Sequence, residues 1–376
     1  MMNKGIIKDK SSLSAGAAVA TFSSNSIRLS GREWVFVGIA LAVLLHFGPA
    51  LWEMIESFEQ GTDYRLPYEL SNDYWLYKRY CRWACRRYDA IVIGDSVIWG
   101  HYVPRDATLP HYLNEAPDQE QFANLGVDGI HPAALAGLIR YYCRAISDKQ
   151  VILHFNPLWM SSKKHDLQIE KEFRFNHPKL VAQFRPRIPC YKESFSKRLS
   201  VVVQRHLPFF IWIRHLRLVY FNGMDISAWT LSHPYKNPFG AIILKPSVLE
   251  DKEVYEQKSW IQQGIVKRDI AWVESATSLQ WMFFQQTVEL LQARGNTLFV
   301  LVGPFNEYML QAESIETYEQ IKTDIESWLW KKGTAYYILP ILPSEFYRDA
   351  SHPLAEGYEM LAEEIIENPS FRSTVR

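Results

Sequence analysis

At 376 residues, with 41 Lys and Arg against 41 Asp and Glu, the chain has no formal net charge, which excludes the global positive field of a nucleic-acid binder. It is long enough to bury one large core or two smaller ones. Its thirteen Trp and twenty Tyr suit a carbohydrate-facing or membrane-facing surface, and suit a large aromatic core equally well.

In chain order, residues 1–31 read as a disordered cytoplasmic tail, because 11–30 is rich in Ser and Ala with no sustained apolar period. Residues 34–52 (WVFVGIALAVLLHFGPALW) contain no Asp, Glu, Lys or Arg and carry Trp at both ends. At about 1.5 Å per residue this run just crosses a hydrocarbon core, with interfacial aromatics at its limits. Lys4, Lys8, Lys10, Arg28 and Arg32 outnumber Asp9 and Glu33 before or at its start, and Glu53, Glu56, Glu59 and Asp63 follow it. The positive-inside rule therefore predicts a single-pass anchor over 32–55, with the remainder outside the cytoplasm. The run is long for the apolar region of a cleaved signal, and no small-x-small site clearly follows.

Residues 56–87 are expected to be a linker and approach helix. Within them, 74–88 (YWLYKRYCRWACRRY) alternates aromatic and basic residues, which fits a helix at the bilayer surface or one packed on the domain with a solvated basic face. Cys81, Cys85, Cys143 and Cys190 all lie beyond the anchor. Up to two disulfides and buried free thiols are both open. No His or Cys cluster accompanies Cys81 and Cys85, so no zinc site is expected. Nor does the chain contain a phosphate-binding loop or H-E-x-x-H, and no cofactor is expected.

Strands are predicted at 90–93, 122–125, 151–155, 298–302 and 336–339, with helices over 132–145, 278–298, 315–330 and 354–366. This is the rhythm of a three-layer α/β sandwich on a mostly parallel sheet. Residues 161–275 break it and read as a large helical, cap-like insertion. Over 163–217 there are 13 Lys or Arg and 4 Asp or Glu. Within it, 199–221 is strongly apolar but interrupted by Arg205, His206, Pro208, Arg214, His215 and Arg217, too charged to span a membrane comfortably. It is expected to lie in the membrane interface, to cap a site, or to be an ordinary helical subdomain.

The chemistry-bearing residues fall at strand ends. The first strand runs into Gly94-Asp95-Ser96, the second into Gly126-Val127-Asp128-Gly129, and the third ends at Asn156. In open α/β sheets, sites form at the carboxyl ends of strands. Near the C-terminus, Asp349 and His352 stand three residues apart just before a helix, so the carboxylate can orient the imidazole while its other nitrogen acts as base. Asn306 and Glu307, after the fourth strand, are expected at the cleft rim. His177 and His233 lack an Asp three residues before them and do not compete with His352.

On these residues the sequence resembles the SGNH/GDSL hydrolases, over about 88–160 and 280–367. Gly94-Asp95-Ser96 matches the family's first block, 124–129 (NLGVDG) the second, His154-Phe155-Asn156-Pro157 part of the third, and Asp349-x-x-His352 the fifth. The resemblance implies an SGNH hydrolase-like domain over 88–160 and 276–376, in a membrane-anchored bacterial protein of the inner membrane facing the periplasm or outside. It implies Ser96 as nucleophile, His352 as base and Asp349 as its orienter. The oxyanion hole would comprise the Ser96 and Gly129 N–H groups with Asn156, and Gly94 and Asp95 would support the nucleophile turn. The activity implied is that of a serine esterase or O-acyltransferase on O-acyl groups, chiefly O-acetyl, of a cell-envelope or exported polysaccharide, with polysaccharide-synthesis proteins as partners. The alternatives are a lipid or lysophospholipid esterase and a non-enzymatic polysaccharide-binding scaffold on an inactive SGNH fold.

Overall fold

The structure, a computed structural model, describes residues 29–58, 60–115, 121–244 and 256–375. The tail expected over 1–31 lies outside the described residues as far as residue 28. Helix α1 (Gly31–Ile55) opens on a capping box made by Ser30 and Glu33 and contains the whole apolar run. In chain order there follow α2 (Tyr74–Arg87), β1 (Ala90–Ile93), α3 (Ser96–Trp99), α4 (Leu109–Glu115), β2 (Phe122–Asn124), α5 (Pro132–Tyr141) and β3 (Gln150–Phe155). Then come α6 (Phe195–His206), α7 (Pro208–Tyr220), α8 (Ile226–Ser232), α9 (Leu279–Gln292), β4 (Thr297–Val302), α10 (Ala312–Lys331), β5 (Ala335–Ile338), α11 (Ala355–Glu367) and α12 (Pro369–Thr374).

The five strands form one sheet in the order β2-β1-β3-β4-β5, and every pairing is parallel. Burial on both faces explains the continuous apolar runs that mark β1, β3 and β4 in sequence. Successive side chains feed two cores. Ile91, Ile93, Leu153, Phe155, Val300 and Val302 pack under α2, α5, α9 and α10. Ala90, Val92, Ile152, Phe299 and Leu301 pack under α4, α11 and α12. The chain leaves β1 toward one edge and returns on its other side as β3. The carboxyl ends of β1 and β3 therefore flank a crevice at the switch point.

The approach segment is a packing helix. Asp73 caps α2 through the Leu76 N–H at 3.0 Å, and Trp75, Tyr77 and Tyr80 are buried in the core. The Tyr77 and Tyr80 hydroxyls donate to the Leu125 and Asn124 carbonyls at 2.8 and 2.9 Å, which fixes the exit of β2. All four cysteines are free and buried. The apolar stretch at 199–221 is two helices that meet at Leu207-Pro208, with Pro208 in the first position of α7, where its missing N–H costs nothing. Helix α7 lies against α1. The Trp212 ring is 5.8 Å from that of Trp52, and Tyr220 donates to Glu56 at 2.6 Å.

Candidate active site

Ser96 is the first residue of α3, directly after the β1 turn. Asp95 caps that short helix by accepting from the Val97 N–H at 3.0 Å. The turn is tight at Gly94, where a Cβ would come within 2.8 Å of the His154 Cβ. Asp349 and His352 sit on the loop before α11. That loop is held by Asn306, which is fully buried, accepts no rim position, and donates from Nδ2 to the Asp349 carbonyl at 3.2 Å. Glu307 pairs with Lys322 at 2.8 Å.

These elements bring Ser96, His352 and Asp349 together. His352 Nε2 lies 2.8 Å from Ser96 Oγ, and His352 Nδ1 lies 2.9 Å from both Asp349 oxygens. The Ser351 and His352 N–H groups each donate to Asp349 Oδ1 at 3.0 Å. Burial pushes the Asp349 carboxyl up, but the His352 charge and hydrogen bond, with those two N–H groups, outweigh it and hold the group at about 2. Burial pushes His352 down, and the facing Asp349, with Asp95 and Asp128 further off, raises it above its ordinary value. An ionised Asp349 fixes the proton on Nδ1 and leaves Nε2 to accept from the serine.

The candidate oxyanion donors divide. The Ser96 and Gly129 N–H groups donate no hydrogen bond among the described residues. Gly129 has a φ of +65°, a left-handed conformation suited to glycine. Asn156, at the end of β3, instead reaches the turn behind the nucleophile: its Nδ2 donates to Asp95 Oδ2 at 2.9 Å and its Oδ1 accepts from the Leu158 N–H at 3.0 Å. One of its two amide hydrogens thus serves Asp95.

Sequence reasoning missed four residues here. Trp159 Nε1 donates to Asp95 Oδ2 at 2.8 Å. His154 Nδ1 lies 3.3 Å from Asp95 Oδ1, while its Nε2 lies 2.6 Å from the Gly303 carbonyl. Burial raises Asp95, and the contacts from His154, the Val97 N–H and Trp159 bring it below its ordinary value. On the other side His101 Nδ1 lies 2.6 Å from Asp128 Oδ1, which brings the residue before Gly129 against the chain just after α3. The rings of His101 and Tyr102 stand 5.5 and 5.4 Å from that of His352. The available signal was the dense polar and aromatic content of Trp99-Gly100-His101-Tyr102 and of His154-Phe155-Asn156 beside strand ends. His177, set aside in the sequence, is buried and spans Tyr74 and the Asp128 carbonyl.

The fold is thus an α/β protein with an all-parallel sheet and a Ser-His-Asp arrangement at its switch point. Comparison with protein-family models gives no match, and neither does comparison with curated proteins.

Proposed function

We propose that this chain is a membrane-anchored serine esterase or O-acyltransferase of the SGNH/GDSL type, acting on O-acyl groups, chiefly O-acetyl, of a cell-envelope or exported polysaccharide. The observation that carries this reading is the continuous hydrogen-bonded line from Ser96 Oγ through His352 to Asp349, at 2.8 and 2.9 Å. His352 takes the Ser96 proton as the oxygen attacks the ester carbonyl, and Asp349 stabilises the imidazolium that forms. The Ser96 and Gly129 N–H groups, with the second amide hydrogen of Asn156, would stabilise the developing oxyanion. Each such donor is worth roughly 2.7–4 kcal/mol. His352 then returns the proton to the departing alkoxide. Water completes hydrolysis, and a sugar hydroxyl completes transfer.

Helix α1 supplies the anchor, with the domain outside the cytoplasm. The lipid-esterase reading draws on the exposed apolar side chains of α6, Phe195 and Leu199. Labelling with a fluorophosphonate probe tests the shared mechanism: wild type labels, and Ser96→Ala and His352→Ala do not. Hydrolysis of acetyl against octanoyl nitrophenyl esters separates the substrates. Absence of labelling in the folded protein overturns the enzymatic reading in favour of a binding scaffold.

A further inference from the structure

The domain covers one side of the apolar helix well below its end. Along α1 the residues at 31–44 are exposed all round, apart from their neighbours in the helix. From there a stripe spaced as one helical face, Leu45, Gly48, Pro49, Trp52 and Glu56, is half-buried or buried. A Cβ at Gly48 would lie 3.6 Å from the Trp212 ring. Helix α7 descends along α1: His215 and Tyr220 meet Glu56 at 2.9 and 2.6 Å, whereas Trp212, nearer the start of α7, meets Trp52 and Gly48.

The bare segment 31–44 is about 21 Å long at 1.5 Å per residue, whereas a hydrocarbon core is about 30 Å thick. Charges at Arg32, Glu33 and Glu53 prevent the span from sliding to either side. A bilayer that covers the uncharged run must therefore also surround the part of α1 on which α7 packs. The α6–α7 elbow is built for that depth. Leu207 and Phe210 are 45% and 42% exposed there, with Pro208 between them. Just above it, Arg205, Arg214 and Arg217 bond backbone carbonyls. No carboxylate stands within 4.0 Å of them among the described residues. Cations with no carboxylate within 4.0 Å among the described residues, beside an apolar tip, suit lipid phosphates above acyl chains.

We propose that the α6–α7 elbow is immersed in the outer leaflet beside the anchor, with Leu207 and Phe210 among acyl chains and the α7 arginines at the headgroups. The active-site domain is thereby held at a fixed height and tilt and does not swing on a tether. The inference rests on reading α1 as a membrane span. The test uses the full chain in phosphatidylcholine/phosphatidylglycerol vesicles, with single nitroxide labels at Leu41→Cys, Phe210→Cys and Trp330→Cys. Leu207→Cys serves as a second elbow site should the Phe210 variant misfold. Trp330 is exposed on α10, which packs by the opposite edge of the sheet from α2, and the native thiols are buried.

The ratio of collision rates with oxygen and with a polar nickel chelate reports depth. The expected result is an elbow ratio close to that at Leu41 and several-fold above that at Trp330. Lipid at Leu41 with water at the elbow overturns the immersion and leaves the span. Low access to both reagents at the elbow means that protein covers it, and also overturns the proposal. Water at Leu41 removes the span reading and the inference with it.

Discussion

Asp349 governs the pH behaviour expected of Ser96. The proposed mechanism needs His352 neutral, and the neighbouring carboxylates raise its affinity for a proton. Activity should therefore fall as pH drops through a value above the ordinary imidazole pKa of about 6.5. Asp349→Asn removes the largest of the raising charges. Its acid limb should move to lower pH while kcat falls about 10⁴-fold, in a pH–rate profile on an acetyl ester. Ser96→Ala should lower kcat about 10⁶-fold and leave no pH dependence. A third expectation concerns His101, whose Nδ1 lies 2.6 Å from Asp128 Oδ1, next to Gly129. His101→Ala should lower kcat about 10²-fold with little change in KM, as a displaced oxyanion donor would. An unchanged kcat would remove His101 from that positioning role.

At the scale of elements, what could be read in the sequence was what local pattern encodes. Strand β1 falls where Ala90 to Ile93 predicted it, and Ser96, Asp349 and His352 meet because each lies at a strand end or pre-helix loop whose type the sequence declares. Asn156 was legible as a strand-end residue but its bond to Asp95 was not, since that contact joins positions 61 apart. The insertion hid more. His215 reads as a charge that interrupts an apolar run, yet it is fully buried, with Nδ1 2.6 Å from Asp73 and Nε2 2.9 Å from Glu56. Those partners come from the cap of α2 and the end of α1, and no periodicity within α7 announces them. Burial pushes His215 down, but the two carboxylates prevail and raise it to about 9. A folded pKa above the unfolded one, about 6.5, means stabilisation that is complete below 6.5 and lost as pH rises through 9. Thermal unfolding in lipid nanodiscs should show a midpoint that falls between pH 6.5 and 9.5. His215→Ala should flatten that slope and cost about 3–5 kcal/mol, because it takes the shared cation from the buried Asp73 and Glu56 carboxylates and leaves Glu56 to Arg79, Trp52 and Tyr220.

For the whole molecule, the same network makes the end of α1 part of the folded domain. Glu56 accepts from Arg79 at 2.8 Å and from Trp52 at 3.0 Å besides His215 and Tyr220, so two helices distant in sequence, α2 and α7, close on one carboxylate at the end of α1. A chain cut to begin at residue 57 looks reasonable from hydropathy alone, since the apolar run has ended. It would strand Arg79 and His215 with one carboxylate fewer and uncover the Trp212 face. Loss of one member of a buried charged set costs about 3–5 kcal/mol, a large share of a domain stability of about 5–15 kcal/mol. A chain beginning at residue 45 keeps the stripe from Leu45 to Glu56 and should unfold in denaturant, in mild detergent, close to the full-length midpoint. The chain beginning at 57 should unfold several kcal/mol earlier. Equal midpoints for the two would mean that α1 tethers the domain without helping to hold it folded. The expected gap would mean that α1 and the loops that carry Ser96 and His352 share one folded frame, through α7, α2 and the strand exits that α2 fixes.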